Sequence, residues 1–231
     1  MPTTVAPKAL SQYSITDGRM LPISATAAQL PAGIYRLEYY IHDWRFVVHN
    51  IKTDSLEVLH ASFVDQVLKE ITEFWEKKEV FRSHGFLHKR GVLLYGKAGT
   101  GKTSLALIMA RKLVEDGGIV IFADCNLDAL KTRLRGLREV EPDRRIMVLM
   151  EDVEVFIQED ESEFTALLDG ENSIEGIVYV ATTNEFEALG EKIRCRPSRF
   201  DLVLEVKNPG AEERAAYLRS RNVGDHPLME D

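Results

Sequence analysis

The chain has 231 residues, 45% hydrophobic and 29% charged, enough apolar content for one sizeable core and a small accessory region. A formal charge of −8 excludes a protein that coats nucleic acid over its whole surface, though not a local basic track. Its two cysteines, Cys125 and Cys195, lack metal-type spacing and read as free thiols, which excludes a disulfide scaffold or a zinc site.

Residues 1–32 carry Pro2, Pro7, Pro22 and Pro31 among small polar residues and predict an extended arm with no signal-peptide pattern. Over 33–62 the pattern changes: Tyr35, Leu37, Tyr39 and Ile41 alternate with Arg36 and Glu38, and Trp44, Phe46 and Val48 follow. That is a small β hairpin or meander region, whose aromatic residues suit its own core or a platform for substrate or adaptor. Val67, Ile71 and Phe74 then recur at helical spacing, giving a helix over 63–80. From Gly91 onward, apolar runs at 91–95, 119–123, 146–150, 177–181 and 202–206 alternate with helical stretches, the clearest being 102–116. Runs this apolar are buried on both faces, so the fold class is α/β, three layers around a mainly parallel five-stranded sheet, preceded by the β-rich region. No run approaches the ~20 apolar residues that span a bilayer, so the expectation is a soluble, cytoplasmic protein with no membrane partner.

The first run leads into 96-GKAGTGKTS-104, the pattern G-x-x-x-x-G-K-[ST]. In a loop made of Gly96, Lys97, Ala98, Gly99, Thr100, Gly101, Lys102, Thr103 and Ser104, the glycines let the backbone wrap a phosphate. The N–H groups then point inward and the following helix adds its positive end. Lys102 neutralises the β- and γ-phosphates and Thr103 ligates magnesium. Such a loop needs a carboxylate at the end of a neighbouring strand, and 146-IMVLMEDVEVF-156 supplies two. Glu151 takes the metal side with Thr103, and Asp152 is the base that orients and deprotonates the attacking water. The usual order is Asp then Glu; the inversion shortens the base by one methylene, and misplacement of about 1 Å can cost a hundredfold in rate. An alternative register makes Asp152 the metal-side group and Glu154 the base, one residue too far along.

Asn184, ending 182-TTN-184, is placed to sense the γ-phosphate and hold the water, although a strand-end asparagine alone reads as a turn residue. In 196-RPSRFD-201, Arg196 and Arg199 offer planar forks suited to a transferring phosphoryl group. Between the second and third runs, 124–145 is basic, with Lys131, Arg133, Arg135, Arg138, Arg144 and Arg145, and has no aromatic residue. It suits a pore gripping nucleic acid or an acidic protein. The favoured reading is a solvated helix face, or one paired with 159-EDESE-163 of a neighbouring protomer, because charge runs usually face water.

Taken in this order, the segment from about 80 to 208 resembles the large subdomain of an AAA-type ATPase, with Walker A at Gly96–Thr103, Walker B ending at Glu151-Asp152 and sensor 1 at Asn184. Within that superfamily it is most similar to the branch of the mitochondrial Rieske-protein translocase. The similarity lies in 84-HGFLHKRGVLLYG-96, 149-LMEDVEVF-156, 164-FTALLDG-170 and 198-SRFD-201. The resemblance implies ATP with Mg2+ and a homo-oligomer, a hexamer or similar ring, in which Arg196 and Arg199 act in trans. It also implies that Gly85 and its neighbours pack the adenine through their backbone, and that the Glu-Asp order is a working variant. Lys97-Ala98 departs from the family's proline pair, and the expectation is that no membrane segment precedes the module. The expected division is an arm over 1–32, the β region over 33–62, the ATPase large subdomain with its leading helix over 63–208, and a short remnant or start of a helical lid over 209–231. A sensor 2 arginine is not assigned. The expected function is ATP hydrolysis coupled to remodelling or translocation of a macromolecule, protein favoured. The alternatives are a nucleic-acid-associated P-loop ATPase, such as a replication or packaging accessory, and a nucleotide-binding interaction module with low turnover.

Overall fold

The computed structural model describes residues 12–16, 19–23, 26–40, 42–51, 61–124, 126–169, 173–194 and 196–220. The stretch 52–60, Cys125, Cys195 and the end of the expected lid remnant, 221–231, lie outside them. The chain forms two compact units, 1–30 and 31–231. The first contains an antiparallel pair, β1 (Gln12–Thr16) and β2 (Arg19–Ile23), with Ser14 opposite Leu21. An extended arm was the expectation here; among the described residues two short runs form strands.

The second unit runs β3 (Gly33–Tyr40), β4 (Asp43–Val48), α1 (Ala61–Glu76), α2 (Lys78–Ser83), β5 (Lys89–Tyr95), α3 (Lys102–Glu115) and β6 (Ile119–Phe122). It continues with α4 (Leu127–Val140), β7 (Ile146–Met150), α5 (Val153–Asp169), β8 (Ile177–Thr183), α6 (Glu191–Arg194), β9 (Leu202–Glu205) and α7 (Ala211–Ser220). One sheet holds seven strands in the order β4-β3-β6-β7-β8-β5-β9, parallel throughout except β4. This corrects the five-stranded expectation: β3 lies parallel to β6, Gly33 opposite Ile119, so the hairpin extends the main sheet. Tyr35 and Leu37 are buried there, and pairing with β3 satisfies the backbone groups that β6 would otherwise expose as an edge. The predicted helix over 63–80 is two helices, interrupted at Lys77.

Val92, Leu94, Val120, Met147, Leu149, Val178 and Val180 form one face of the core with α3 and with Val67, Ile71 and Phe74 of α1. Alternate residues of the same strands, such as Leu93, Ile121, Val148 and Tyr179, are equally buried, as a period of two requires of a sheet covered on both sides. This order also positions the site. β5, β8 and β7 are adjacent, with Tyr95 opposite Thr183 and Met150 opposite Ala181. Neighbouring strands lie about 4.8 Å apart, so residues just beyond three strand ends, distant in sequence, meet in one crevice.

Candidate functional site

Beyond β5 the chain turns through Gly96, Gly99 and Gly101 at φ of 152°, 84° and 95°, a conformation that L side chains rarely adopt. A Cβ on Gly96 would stand 2.3 Å from the Val206 carbonyl oxygen, whereas one on Gly99 or Gly101 would project into open space. That open space is a cradle bounded by backbone, and Gly101 caps the N-terminus of α3, whose partial positive charge faces it. Thr100 is buried, its hydroxyl donating to the Lys97 carbonyl at 3.0 Å, while Lys97, Ala98 and Thr103 are exposed and Ser104 is half-buried.

Lys102 folds back under the loop. Its ammonium donates to the carbonyls of Gly96 at 2.8 Å and Lys97 at 2.9 Å, and to Asn184 Oδ1 at 2.7 Å. Burial pushes its pKa below the usual lysine range, opposed by the charges of Asp152 and Glu154. Asn184 passes the contact on, donating from Nδ2 to Asp152 Oδ1 at 3.0 Å. Lys102, Asn184 and Asp152 thus form one hydrogen-bonded row across the ends of β5, β8 and β7. Asp152 sits at φ of 48°, and its N–H donates to the Thr182 hydroxyl at 3.2 Å.

Glu154 stands elsewhere. Its Oε1 accepts from the Thr183 hydroxyl, from Asn184 N at 3.0 Å and from Glu185 N at 3.1 Å, so it fastens the end of β8 and faces no open cradle with that oxygen. Glu151 Oε1, like Glu154 Oε2, is buried without a hydrogen-bond partner among the described residues. A bare carboxylate oxygen in that position is costly, and a hydrated divalent cation beside it removes the cost. Among the described residues no group of three or more His, Cys, Asp or Glu could hold a metal ion alone. Thr103 and Glu151 therefore fit a magnesium that arrives with phosphates, since that ion keeps several waters and takes one or two protein ligands.

Arg196 and Arg199 are brought together, but unequally. The Arg199 side chain is 6% exposed; its Nε donates to Asp169 Oδ2 at 2.9 Å and a terminal nitrogen to the Lys192 carbonyl at 2.8 Å. Arg196 is 61% exposed and holds the same carboxylate at 3.4 Å. Asp169 also accepts from the Ser198 hydroxyl at 3.1 Å, so it organises the whole turn. Gly85 closes the turn after α2, its N–H donating to the Arg82 carbonyl at 3.0 Å.

The basic stretch is largely engaged within the chain. Lys131 is buried in an ion pair with Glu163, the partner expected from a neighbouring protomer. Arg133 pairs with Asp43 at 2.8 Å, and Arg138 donates to four carbonyl oxygens. In the hairpin, Tyr35 belongs to the core, whereas Tyr39 and Tyr40 are exposed, Tyr39 resting against Trp44 at 5.5 Å between centroids. Sequence reasoning missed the anchoring parts of Asp169 and Thr182, and took Glu154 only as an alternative base. The signal for Asp169 was its place at the end of 164-FTALLDG-170, one helix length after the carboxylates.

A glycine cradle at a helix N-terminus, with a buried lysine, a strand-end carboxylate and an asparagine in one row, defines an ATP-binding P-loop NTPase. The sequence model of the ATPase family associated with various cellular activities (AAA) matches residues 92–208, just over half of the chain, and the protein belongs to that family. It is 28% identical over 197 residues to the ATP-dependent zinc metalloprotease FtsH of Acidothermus cellulolyticus, an alignment covering 75% of this chain and 29% of that protein. It is 29% identical over 196 residues to the proteasome-activating nucleotidase of Saccharolobus islandicus, covering 72% and 49%. A probable inactive ATP-dependent zinc metalloprotease, FTSHI 5 of Arabidopsis thaliana, is 28% identical over 74% of this chain and 14% of its own length. The chain thus spans less than half the length of each of these relatives. No helix among the described residues is long and apolar enough to cross a membrane.

Proposed function

We propose that this chain is a ring-forming ATPase that couples hydrolysis of Mg-ATP to the remodelling or translocation of a protein. The observation that carries the reading is the row Lys102–Asn184–Asp152, which joins the phosphate cradle to a strand-end carboxylate through hydrogen bonds of 2.7 and 3.0 Å. Lys102 neutralises phosphate charge, Asp152 orients and deprotonates the attacking water, and Asn184 fixes the distance between them. Thr103 and Glu151 would hold a magnesium ion, which when bound would supply neutralisation of phosphate charge. Arg196 is the exposed arginine available to an ATP on a neighbouring subunit, with Arg199 and Asp169 holding its turn in place.

A protein substrate is favoured by the names of the relatives, a protease and a proteasome-activating nucleotidase. The 231 residues contain no H-E-x-x-H, so the metalloprotease part of the FtsH name is not carried over. The internal pairing of Lys131 and Arg133 weighs against a nucleic-acid grip at that stretch. The Glu-Asp order supports the narrower kinship with the Rieske-protein translocase branch.

The test measures ATP turnover across a protein concentration series, with unfolded protein, DNA or RNA added. Turnover that rises with concentration and with unfolded protein, and vanishes in Lys102→Ala, is the expected result. Stimulation by nucleic acid alone with a steep salt dependence would replace the protein substrate. Binding without turnover would leave only a nucleotide-binding module.

A further inference from the structure

At the other end of the sheet, roughly 20 Å from the phosphate cradle by strand length, lies a cleft of about 430 Å³. That volume is in the range of small-molecule sites, ~300–1,000 Å³. His88 enters it just before β5, Arg144 and Arg145 just before β7, and Gly176 just before β8; Trp75 ends α1 beside it and Arg138 reaches in from α4.

The lining is cationic in an acidic chain. Lys78 and Arg82 add to Arg138, Arg144 and Arg145, against Asp143 and Glu175 in the lining and Glu141, which pairs with Arg144 at 3.5 Å, whereas the whole chain carries −8. The pairs Lys78–Asp143 and Arg82–Glu175 have carboxylates exposed to solvent, and such pairs hold weakly. Arg145 has its guanidinium 5.8 Å from the Trp75 ring centroid, and its side chain makes no hydrogen bond or ion pair among the described residues. Arg138, by contrast, is fixed: it donates to the carbonyls of Glu141, Pro142, Arg144 and Gly176 at 2.9–3.1 Å, which makes the rim rigid.

Hydrogen-bonding capacity is left over among the lining residues. Trp75 Nε1 is buried without a partner among the described residues and can only donate. His88 is 1% exposed, with Nε2 at 2.8 Å from the Phe74 carbonyl oxygen. A carbonyl only accepts, so Nε2 carries the proton. Burial pushes the ring's pKa down and so favours the neutral form, which leaves Nδ1 as an acceptor, and it too has no partner among the described residues. The residues that line the cleft thus include cations, one unpartnered N–H donor and one unpartnered buried acceptor. A plain dianion satisfies the first two and leaves the third unmet; a ligand that also bears an O–H satisfies all three.

We propose that this cleft binds a small hydroxylated oxyanion, a phosphorylated or carboxylated metabolite, with its oxyanion on Arg145 and the Trp75 N–H and an O–H donated to His88 Nδ1. The chain has two tryptophans, so Trp44→Phe makes Trp75 a local reporter, and Lys102→Ala in the same chain removes the P-loop contribution to anion binding. The probes are inorganic phosphate, which carries an O–H at neutral pH, and sulfate, which does not, each against sodium chloride at equal ionic strength. The expected result is a saturable change in Trp75 emission with phosphate and a several-fold weaker response to sulfate. Arg145→Gln, confirmed folded by circular dichroism, should weaken phosphate binding about tenfold or more, as loss of a charged hydrogen-bond donor predicts. An emission change absent with phosphate, matched by sodium chloride, or unaltered in Arg145→Gln overturns the site. Equal affinity for phosphate and sulfate overturns the role of His88.

Discussion

Replacing Glu154 separates two roles that the same carboxylate has been given. As an anchor, it accepts three hydrogen bonds through Oε1, from Thr183, Asn184 and Glu185. In Glu154→Ala the Thr183 hydroxyl, fully buried, loses the carboxylate that accepts from it, at a cost of about 1–3 kcal/mol. The Asn184 and Glu185 amides lie at the exposed end of β8, where water replaces the carboxylate almost without loss. A net loss of about 2 kcal/mol lowers Tm by roughly 4–8 °C in a chain of this size. The same change frees the backbone of Asn184, whose side chain bridges Lys102 and Asp152, and a drift of about 1 Å there costs up to a hundredfold in kcat. Glu154→Gln keeps an oxygen acceptor of the same reach, so Tm should stay within about 2 °C and kcat within about tenfold. A coupled ATPase assay and a thermal melt on both variants read these numbers. If Glu154→Gln is as inactive as Glu154→Ala with Tm unchanged, the anchor is wrong and Glu154 is the base.

Asp152→Asn should bind ATP and melt like the parent while turnover collapses, measured by nucleotide binding beside steady-state hydrolysis. Arg199→Ala leaves Asp169 buried beside an emptied partner position, and loss of about 3 kcal/mol should lower Tm by roughly 6–12 °C. Arg196→Ala removes an exposed 3.4 Å pair worth under about 1 kcal/mol, so Tm should hold while hydrolysis fails; mixing it with Lys102→Ala at concentrations that form rings should restore part of the activity. Burial holds His88 below its ordinary pKa of 6.5, with Lys78 and Arg82 reinforcing and the Phe74 carbonyl and Glu175 opposing. Below 6.5 the unfolded chain takes up this proton before the folded one does, so its contribution is complete above 6.5 and declines as pH falls, and His88→Gln should flatten the Tm–pH slope on that side.

Much of the candidate site can be placed from the sequence because its residues are local in sequence. Gly96 to Thr103 is contiguous, Glu151-Asp152 follows directly on an apolar run, and Asn184 comes two threonines after another, and the burial of both runs could be read from composition. Partners set by the fold were not legible. Alternation marks 33–40 as a strand, but not that β6 is its parallel neighbour. The charges of Lys131 and Arg133 are visible in the sequence, while Glu163 and Asp43, which neutralise them, arrive only through packing of α5 and β4. The helical stripe from Val67 to Phe74 runs on to Phe81, so its phase conceals the interruption at Lys77. Arg196 and Arg199 look alike at three-residue spacing; only the depth at which Asp169 sits makes one a buried staple and leaves the other exposed.

The order of the two carboxylates has a physical basis in the turn that follows β7. The strand is buried to Met150, and two residues later the chain takes a left-handed conformation at Asp152, with φ of 48°. Aspartate tolerates that region better than longer residues because its short side chain can bond locally. Here its carboxylate is met at once by Asn184 Nδ2 and its N–H by the Thr182 hydroxyl. A glutamate in that position would carry an extra methylene through the tightest part of the turn and would have to fold back to reach Asn184. Glu151, still next to the strand end, has no such turn to accommodate, and its longer chain leaves one oxygen buried without a protein partner. The short acid thus stands where the backbone bends and the neighbouring donors are close, and the long acid where it has to reach past the strand end. The inverted pair conforms to this backbone, and exchanging its members would strain the one residue that the hydrogen-bonded row to Lys102 depends on.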